Sequence, residues 1–197
     1  MPDIQYILGE LFYLDSIARF LFVHISTFLF FLALLLNFGR TSVSNSNCLS
    51  KEQTHEPLIL SLVMFFSYSI TIPLDYSNLF VEIRSVYLPN TLYLALDLLT
   101  IVFIHRFVKP KSEIGQLCRL YIFVALSINS LLFFLLQLDF LLSFYKLKNN
   151  EYWWFWSFFS YGINTFDLIM VLVLVVQKDF LGWYKLAEKM KGAQSRP

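Results

Sequence analysis

Five long runs of apolar residues, separated by polar segments, dominate the chain. The runs cover residues 20–38, 57–75, 86–105, 120–145 and 154–177. Each is close to the roughly 20 residues that an α-helix needs to cross about 30 Å of hydrocarbon. None shows the period-two alternation that is typical of a membrane β-barrel strand. The pattern therefore predicts an all-α fold, a polytopic transmembrane helical bundle of about five spans.

Composition favours a membrane protein over a soluble one. Of the 197 residues, 57% are hydrophobic and only 15% are charged, whereas a soluble domain carries about 25% charged residues. The lipid bilayer is thus the first partner that we expect. The formal net charge of +1 provides no basic surface, so we expect no nucleic-acid partner. The first ten residues lack Lys and Arg, which argues against a cleavable signal peptide.

Basic residues are distributed unequally between the predicted loops. Most of the 15 Lys and Arg residues lie between spans one and two, between spans three and four, and after span five. Only Arg19, Arg84, Lys146 and Lys148 lie on the opposite side. Cytoplasmic loops carry an excess of Lys and Arg. The distribution predicts an inner or plasma membrane location, with the N-terminus outside and the C-terminus in the cytoplasm.

The chain divides into a five-helix transmembrane domain, residues 1–177, and a cytoplasmic amphipathic tail, residues 178–197. A helix drawn from Lys178 to Lys191 carries an apolar face and a charged face. A basic amphipathic helix that leaves a membrane span usually lies on the inner leaflet. Anchoring is therefore favoured over the alternative, docking to a cytoplasmic protein partner. The apolar face consists of Phe180, Trp183, Tyr184, Ala187 and Met190.

Two aspartates fall near the centres of apolar runs, Asp97 in the third and Asp167 in the fifth. A carboxylate at the bilayer centre costs roughly 3 kcal/mol on insertion scales, so both should face a protein interior or a wet cavity. Lys and Arg are absent at their depth, so each carboxyl must be protonated, share a proton or bind a cation. A functional role and a structural role are equally well supported, with Asn129 and His24 among the nearest candidate partners.

Further polar residues share helix faces with these aspartates. The polar residues of span three are spaced 3, 4, 3, and those of span five repeat this spacing, so each set lies on one face. For the neutral residues, hydrogen bonding between helices is the simpler explanation. Asp75 and Asp139, near the outer ends of spans two and four, form a candidate outer acidic entrance. The candidate intramembrane polar site consists of Asn90, Tyr93, Asp97, Thr100, Asn164 and Asp167.

The sequence contains no familiar catalytic motif. It lacks H-E-x-x-H, the Walker A pattern, G-x-S-x-G and Cys-x-x-Cys, so we expect no enzyme, and no metal or other cofactor. The favoured class is a non-enzymatic membrane protein that acts as an assembling sensor, scaffold or subunit of a membrane complex, with homo-oligomerisation expected. A bacterial stress or phage-defence system fits this class, although no residue selects it. The alternative is an oligomeric proton or cation channel or transporter that uses the intramembrane aspartates.

Overall fold

The computed structural model describes residues 24–44, 51–76, 87–143 and 154–194. Within these ranges the chain is almost entirely helical and contains no strand, so the predicted all-α fold is confirmed. Five helices are long and apolar enough to cross a membrane, as the five apolar runs predicted. The helices are α1 (Ile25–Ser44), α2 (Lys51–Ser69), α3 (Thr71–Tyr76), α4 (Tyr87–Phe107), α5 (Glu113–Ser143), α6 (Trp154–Val176) and α7 (Trp183–Gln194).

Three spanning helices extend well past the predicted limits of their apolar runs. Helix α1 continues beyond Phe38 to Ser44, α2 begins at Lys51 rather than at Pro57, and α5 begins at Glu113 rather than at Leu120. Arg40 therefore lies on a helix and not in a loop. Hydropathy marks the lipid-embedded part of a helix, whereas backbone hydrogen bonding carries the helix further into the polar region. The predicted start of span one, residues 20–23, lies outside the described residues.

Span two is interrupted near one end of the bundle, where α2 ends at Ser69 and α3 begins at Thr71. Pro73 has no backbone N–H, so the carbonyl of Ser69, four residues earlier, loses its helical donor, and the proline ring crowds it. At the same interruption, the Thr71 hydroxyl donates a hydrogen bond to the neighbouring carbonyl, that of Tyr68, at 2.7 Å. The interruption therefore falls next to Tyr68, whose hydroxyl donates a hydrogen bond to Asp167 on α6.

Helix α5 is the centre of the bundle, because it packs against α2, α4, α6 and α7. Helix α1 completes the bundle by packing against α2 and α6. Large apolar side chains also cover the outside, among them Leu99, Phe107 and Leu142. An apolar exterior around buried polar groups is the arrangement expected of a helical membrane protein. The buried core includes Phe30, Leu60, Met64, Ile104, Tyr121, Leu126, Met170 and Leu174.

The C-terminal helix begins at Trp183 and not at Lys178, because an irregular turn separates it from α6. Gly182 in this turn has a φ of 72°, in the left-handed region that glycine tolerates best. The Asp179 carboxylate accepts hydrogen bonds from the Tyr121 hydroxyl at 2.6 Å and from the backbone N–H groups of Tyr184 and Lys185. Burial alone would raise the pKa of Asp179, but these hydrogen bonds outweigh it and lower that pKa. Asp179 thus caps α7 and ties it to α5.

Glu56 on α2 holds the connection between α4 and α5. Its carboxylate accepts hydrogen bonds from the backbone N–H groups of Lys111, at 2.6 Å, and Ser112, at 3.0 Å, and from the Ser112 hydroxyl. Gly115 makes this close approach feasible, because a Cβ there would lie 2.7 Å from Cβ of Pro110 and would also meet Glu56. We call this end of the bundle the loop end.

Candidate functional site

A cleft of about 300 Å³ lies among the spanning helices, toward the end of the bundle opposite the loop end. Each of the five spans contributes polar side chains to its wall, and no Lys or Arg lines it among the residues that the structure describes. We call it the aspartate cleft and this end of the bundle the cleft end. Its polar lining consists of His24, Ser26, Thr27, Ser67, Tyr68, Thr71, Asn90, Tyr93, Asp97, Asn129, Asn164 and Asp167.

Asp167 on α6 is 4% exposed and joins four helices. Its Oδ2 accepts a hydrogen bond from the hydroxyl of Ser26 on α1 at 2.7 Å. Its Oδ1 accepts one from the hydroxyl of Tyr68 on α2 at 2.5 Å and one from Nδ2 of Asn129 on α5 at 2.9 Å. Three neutral donors therefore hold this carboxyl group in a fixed position at the base of the cleft.

Asp97 on α4 differs from Asp167, although it is almost as deeply buried, at 8% exposed. Its Oδ2 has no hydrogen-bond partner within the described part of the chain. Oδ1 of Asn129, whose residue is 1% exposed, also lacks a partner there. Buried polar atoms of native proteins are nearly always paired, so each exception requires an explanation. Asp97 and Asp167 also repel each other electrostatically, which disfavours ionising both without a counterion.

The remaining predicted site residues divide between the cleft and its surroundings. Asn90, Tyr93 and Asn164 line the cleft together with the two aspartates. Asn164, however, donates its Nδ2 hydrogen to the Ser160 carbonyl of its own helix at 2.8 Å and so does not tie α6 to another helix. Thr100 is buried but lies outside the cleft lining.

Thr100 instead connects α4 to α2. Its hydroxyl donates to the Leu96 carbonyl at 2.8 Å, and its oxygen lies 2.6 Å from the Ser67 hydroxyl oxygen. Because a hydroxyl has one hydrogen, Ser67 is the donor in the second bond. This pair fits the structural explanation that the sequence favoured for neutral polar residues.

The structure describes the side chain of only one of the two residues of the predicted outer acidic entrance. Asp139 lies on α5, half-buried, and is not among the residues that line the aspartate cleft. Asp75 lies on α3, and its side chain falls outside the described residues. The entrance therefore remains a prediction.

Ser26 and Tyr68 were not predicted to belong to the site, although both donate hydrogen bonds to Asp167. Each is the type of residue that apolar runs commonly contain, so composition alone gave no signal. Tyr68 lies directly before the helix interruption caused by Pro73, and discontinuous helices are a feature of membrane binding sites. That proline was the available signal for Tyr68, whereas nothing in the sequence distinguished Ser26.

Three aromatic rings line the cleft together, one from each of α4, α5 and α6. Tyr93 stacks on Phe133 with ring centroids 5.7 Å apart, and Phe133 meets Phe159 edge-on at 5.2 Å. The cleft therefore combines a continuous aromatic wall with acceptor oxygens of Asp97 and Asn129.

A second buried polar group lies nearer the loop end and has no carboxylate. Asn37 on α1, 1% exposed, donates to the Ser61 hydroxyl at 2.7 Å and to the Leu174 carbonyl at 3.1 Å. Its Oδ1 accepts a hydrogen bond from Nε2 of Gln177 at 2.9 Å. We call these residues the Asn37 cluster. Both hydrogens and the oxygen of the Asn37 amide are paired, as expected of a purely structural contact.

The chemistry of the aspartate cleft is that of two carboxyl groups among neutral oxygens. Among the described residues, no group of three or more His, Cys, Asp or Glu side chains could hold a metal ion. The arrangement is suited to a proton or to a weakly coordinated cation, since it supplies oxygen acceptors and, among the described lining residues, no Lys or Arg side chain. Comparison with protein-family models, with curated proteins and with solved structures found no match.

Proposed function

We propose that this integral membrane protein binds a proton or small cation at Asp97 and carries it across the membrane, as a channel or transporter. The observation behind the proposal is the buried Oδ2 of Asp97, which has no hydrogen-bond partner in the described residues and belongs to a residue that lines the cleft. Ionisable residues inside a membrane bundle mark ion and proton pathways more often than they serve packing.

The two aspartates are suited to different roles. Asp167 accepts three hydrogen bonds from Ser26, Tyr68 and Asn129, so its position is fixed and its negative charge is stabilised by donors. Oδ2 of Asp97 has no hydrogen-bond partner within the described residues, so Asp97 can gain or lose a proton or cation without breaking such a set of bonds. In this proposal, Asp97 is the exchanging group and Asp167 supplies a fixed field that attracts a positive charge into the cleft.

The assembling role that the sequence favoured has less support from geometry. Exposed phenylalanine and leucine side chains suit a protein partner, but they suit lipid equally well. Homo-oligomerisation, a cytoplasmic partner, the absence of enzymatic activity and the orientation with the C-terminus inside remain predictions. In that orientation the cleft end lies in the outer half of the membrane.

The proposal is tested by ion flux in proteoliposomes that contain the purified full-length chain. Proton entry is followed with a lumenal pH-sensitive dye under an imposed membrane potential, and sodium and potassium fluxes are followed with isotope uptake. We expect a measurable flux of at least one of these ions, which Asp97→Asn lowers about tenfold or more, because Asn retains the shape but loses the exchangeable charge.

Glu113→Gln is the matched control, because it also removes one carboxylate but lies exposed at the loop end. It should leave the flux unchanged. Protein yield and the elution profile in detergent establish that both variants are folded. An Asp97→Asn variant with full flux would remove the conduction proposal and favour the assembling role. A wild-type chain that moves neither these three ions nor a small organic cation would do the same.

A further inference from the structure

The unpaired groups of the aspartate cleft specify the chemistry of what binds there. Several buried side-chain oxygens have no hydrogen-bond partner in the described residues, and two of them, Oδ2 of Asp97 and Oδ1 of Asn129, belong to residues that line the same cleft. A carboxylate oxygen and an amide oxygen can only accept hydrogen bonds. A complementary ligand must therefore donate at least two hydrogens, and positive charge on the donor would offset the two carboxylates.

The size of the cleft argues against a bare ion as its occupant. A volume of about 300 Å³ equals roughly ten water molecules at liquid density. It also reaches the lower limit of small-molecule pockets, which span roughly 300–1,000 Å³. A single dehydrated metal cation would leave most of this space unfilled, whereas a small organic ligand would occupy a substantial part of it.

The aromatic wall of Tyr93, Phe133 and Phe159 supplies the second requirement of an organic cation. Aromatic faces attract ammonium groups through the ring quadrupole, most strongly when the pair is desolvated. The same rings offer apolar surface to an alkyl chain. A carboxylate, an amide oxygen and stacked rings in one cleft form a set that matches an alkylammonium ion.

We propose that the aspartate cleft binds a small primary alkylammonium ion, whose –NH₃⁺ group donates to Asp97 and Asn129 while its alkyl chain lies against the aromatic wall. The inference rests on the proposed function and deepens it, because it names the class of cation that the same cleft takes. A primary ammonium is favoured over a quaternary one, since only the former has N–H donors for the two acceptor oxygens.

The test uses the wild-type chain in nanodiscs, so that its first arm does not depend on the folding of any variant. Binding of radiolabelled n-butylamine is measured at neutral pH, where the amine is protonated, and unlabelled compounds compete at equal ionic strength. We expect saturable binding that n-butylamine displaces, whereas tetramethylammonium, n-butanol and sodium displace it at least about tenfold less well. Saturation should also raise Tm by about 5 °C, because a ligand that binds only the folded state stabilises it.

Variants then locate the binding site. Asp97→Asn should abolish saturable binding, and Phe133→Leu should weaken it about fivefold by removing one ring from the wall. Glu113→Gln should bind as the wild type does. Absence of saturable binding to the wild type, equal displacement by tetramethylammonium, or full binding by Asp97→Asn would each overturn the inference.

The two proposals fail in different ways. A wild-type chain that conducts an inorganic ion through Asp97 but binds no n-butylamine contradicts only the alkylammonium inference, and the cleft then holds water or a hydrated ion. A chain that binds n-butylamine at Asp97 but produces no ion flux, and no uptake of labelled n-butylamine into proteoliposomes, contradicts the transport proposal and describes a sensor.

Discussion

The aspartate cleft and the Asn37 cluster are two buried polar regions of one bundle, and they are built in opposite ways. In the Asn37 cluster, the whole side-chain amide is paired across three helices and no charge is present. In the cleft, two carboxyl groups line one cavity, and acceptor oxygens of Asp97 and Asn129 lack a partner within the described residues. The polar groups of the Asn37 cluster are thus paired with one another, whereas those of the cleft are not fully paired by the described residues.

From this difference we expect the Asn37 cluster to serve stability and the aspartate cleft to serve function. A satisfied polar network inside a low-dielectric interior gives rigidity and a unique packing, whereas an incomplete one lowers stability until something completes it. The incomplete region also coincides with the only described interruption of a spanning helix, between Ser69 and Thr71. Substitutions in the two regions should therefore differ in how they change stability and ion flux. Three substitutions test this, from the largest expected loss of stability to the smallest.

The largest effect is expected from Asp167→Leu, which leaves the donors of Ser26, Tyr68 and Asn129 without their acceptor. We expect the free energy of unfolding to fall by about 3 kcal/mol, because each buried donor loses its bond. Unfolding in mixed detergent micelles measures this change. Asp167→Asn should lose less than half as much, since Asn retains one acceptor oxygen. Equal losses for the two variants would show that charge, and not hydrogen bonding, stabilises this junction.

A moderate effect is expected from Asn37→Leu, which removes three hydrogen bonds between helices without disturbing a charge. Such bonds in membrane proteins average about 0.6 kcal/mol each, so the loss should be about 2 kcal/mol. Ion flux per folded molecule, assayed as for Asp97→Asn, should be unchanged. A flux that falls with intact folding would mean that the Asn37 cluster takes part in function and that the contrast between the regions is false.

The smallest effect on stability is expected from Asp97→Asn, the substitution with the largest expected effect on flux. Because no described donor reaches Oδ2 of Asp97, the variant loses no known hydrogen bond, and it removes electrostatic repulsion from Asp167. The free energy of unfolding should therefore stay within about 1 kcal/mol of the wild-type value or rise. A loss above about 2 kcal/mol would identify Asp97 as a structural residue with an unseen partner.

The sequence predicted the part of the fold that depends on solvent preference alone. Five apolar runs led to five spanning helices because lipid selects apolar side chains over whole helix lengths. The ends of α1, α2 and α5 were misplaced, since Arg40, Lys51 and Glu113 are compatible with a helix that continues into the polar region. The start of α7 depended on Gly182 and on the capping carboxylate of Asp179, which hydropathy does not detect.

The candidate site was predictable only as far as helix periodicity reaches. The 3, 4, 3 spacing groups residues by helix face, but it does not say which faces meet across the bundle. Asn90, Tyr93 and Asn164 do line one cleft with the aspartates, whereas Thr100 pairs with Ser67 beside it. The donors Ser26 and Tyr68 become recognisable only when the tertiary packing brings α1 and α2 against α6.

The Glu56 carboxylate and the Asn37 cluster connect the helices near the loop end. A tilt of a helix about this end would therefore displace its cleft end the most. Glu56 fastens α2 to the start of α5, and Asn37 fastens α1 to α2 and α6. Ser26 lies roughly 16 Å from Asn37 along α1 at 1.5 Å per residue. A tilt of about 10° at the loop end then displaces Ser26 by about 3 Å, enough to break its hydrogen bond to Asp167. A small change in the angle of α1 at the loop end would therefore be enough to break a hydrogen bond at the cleft end.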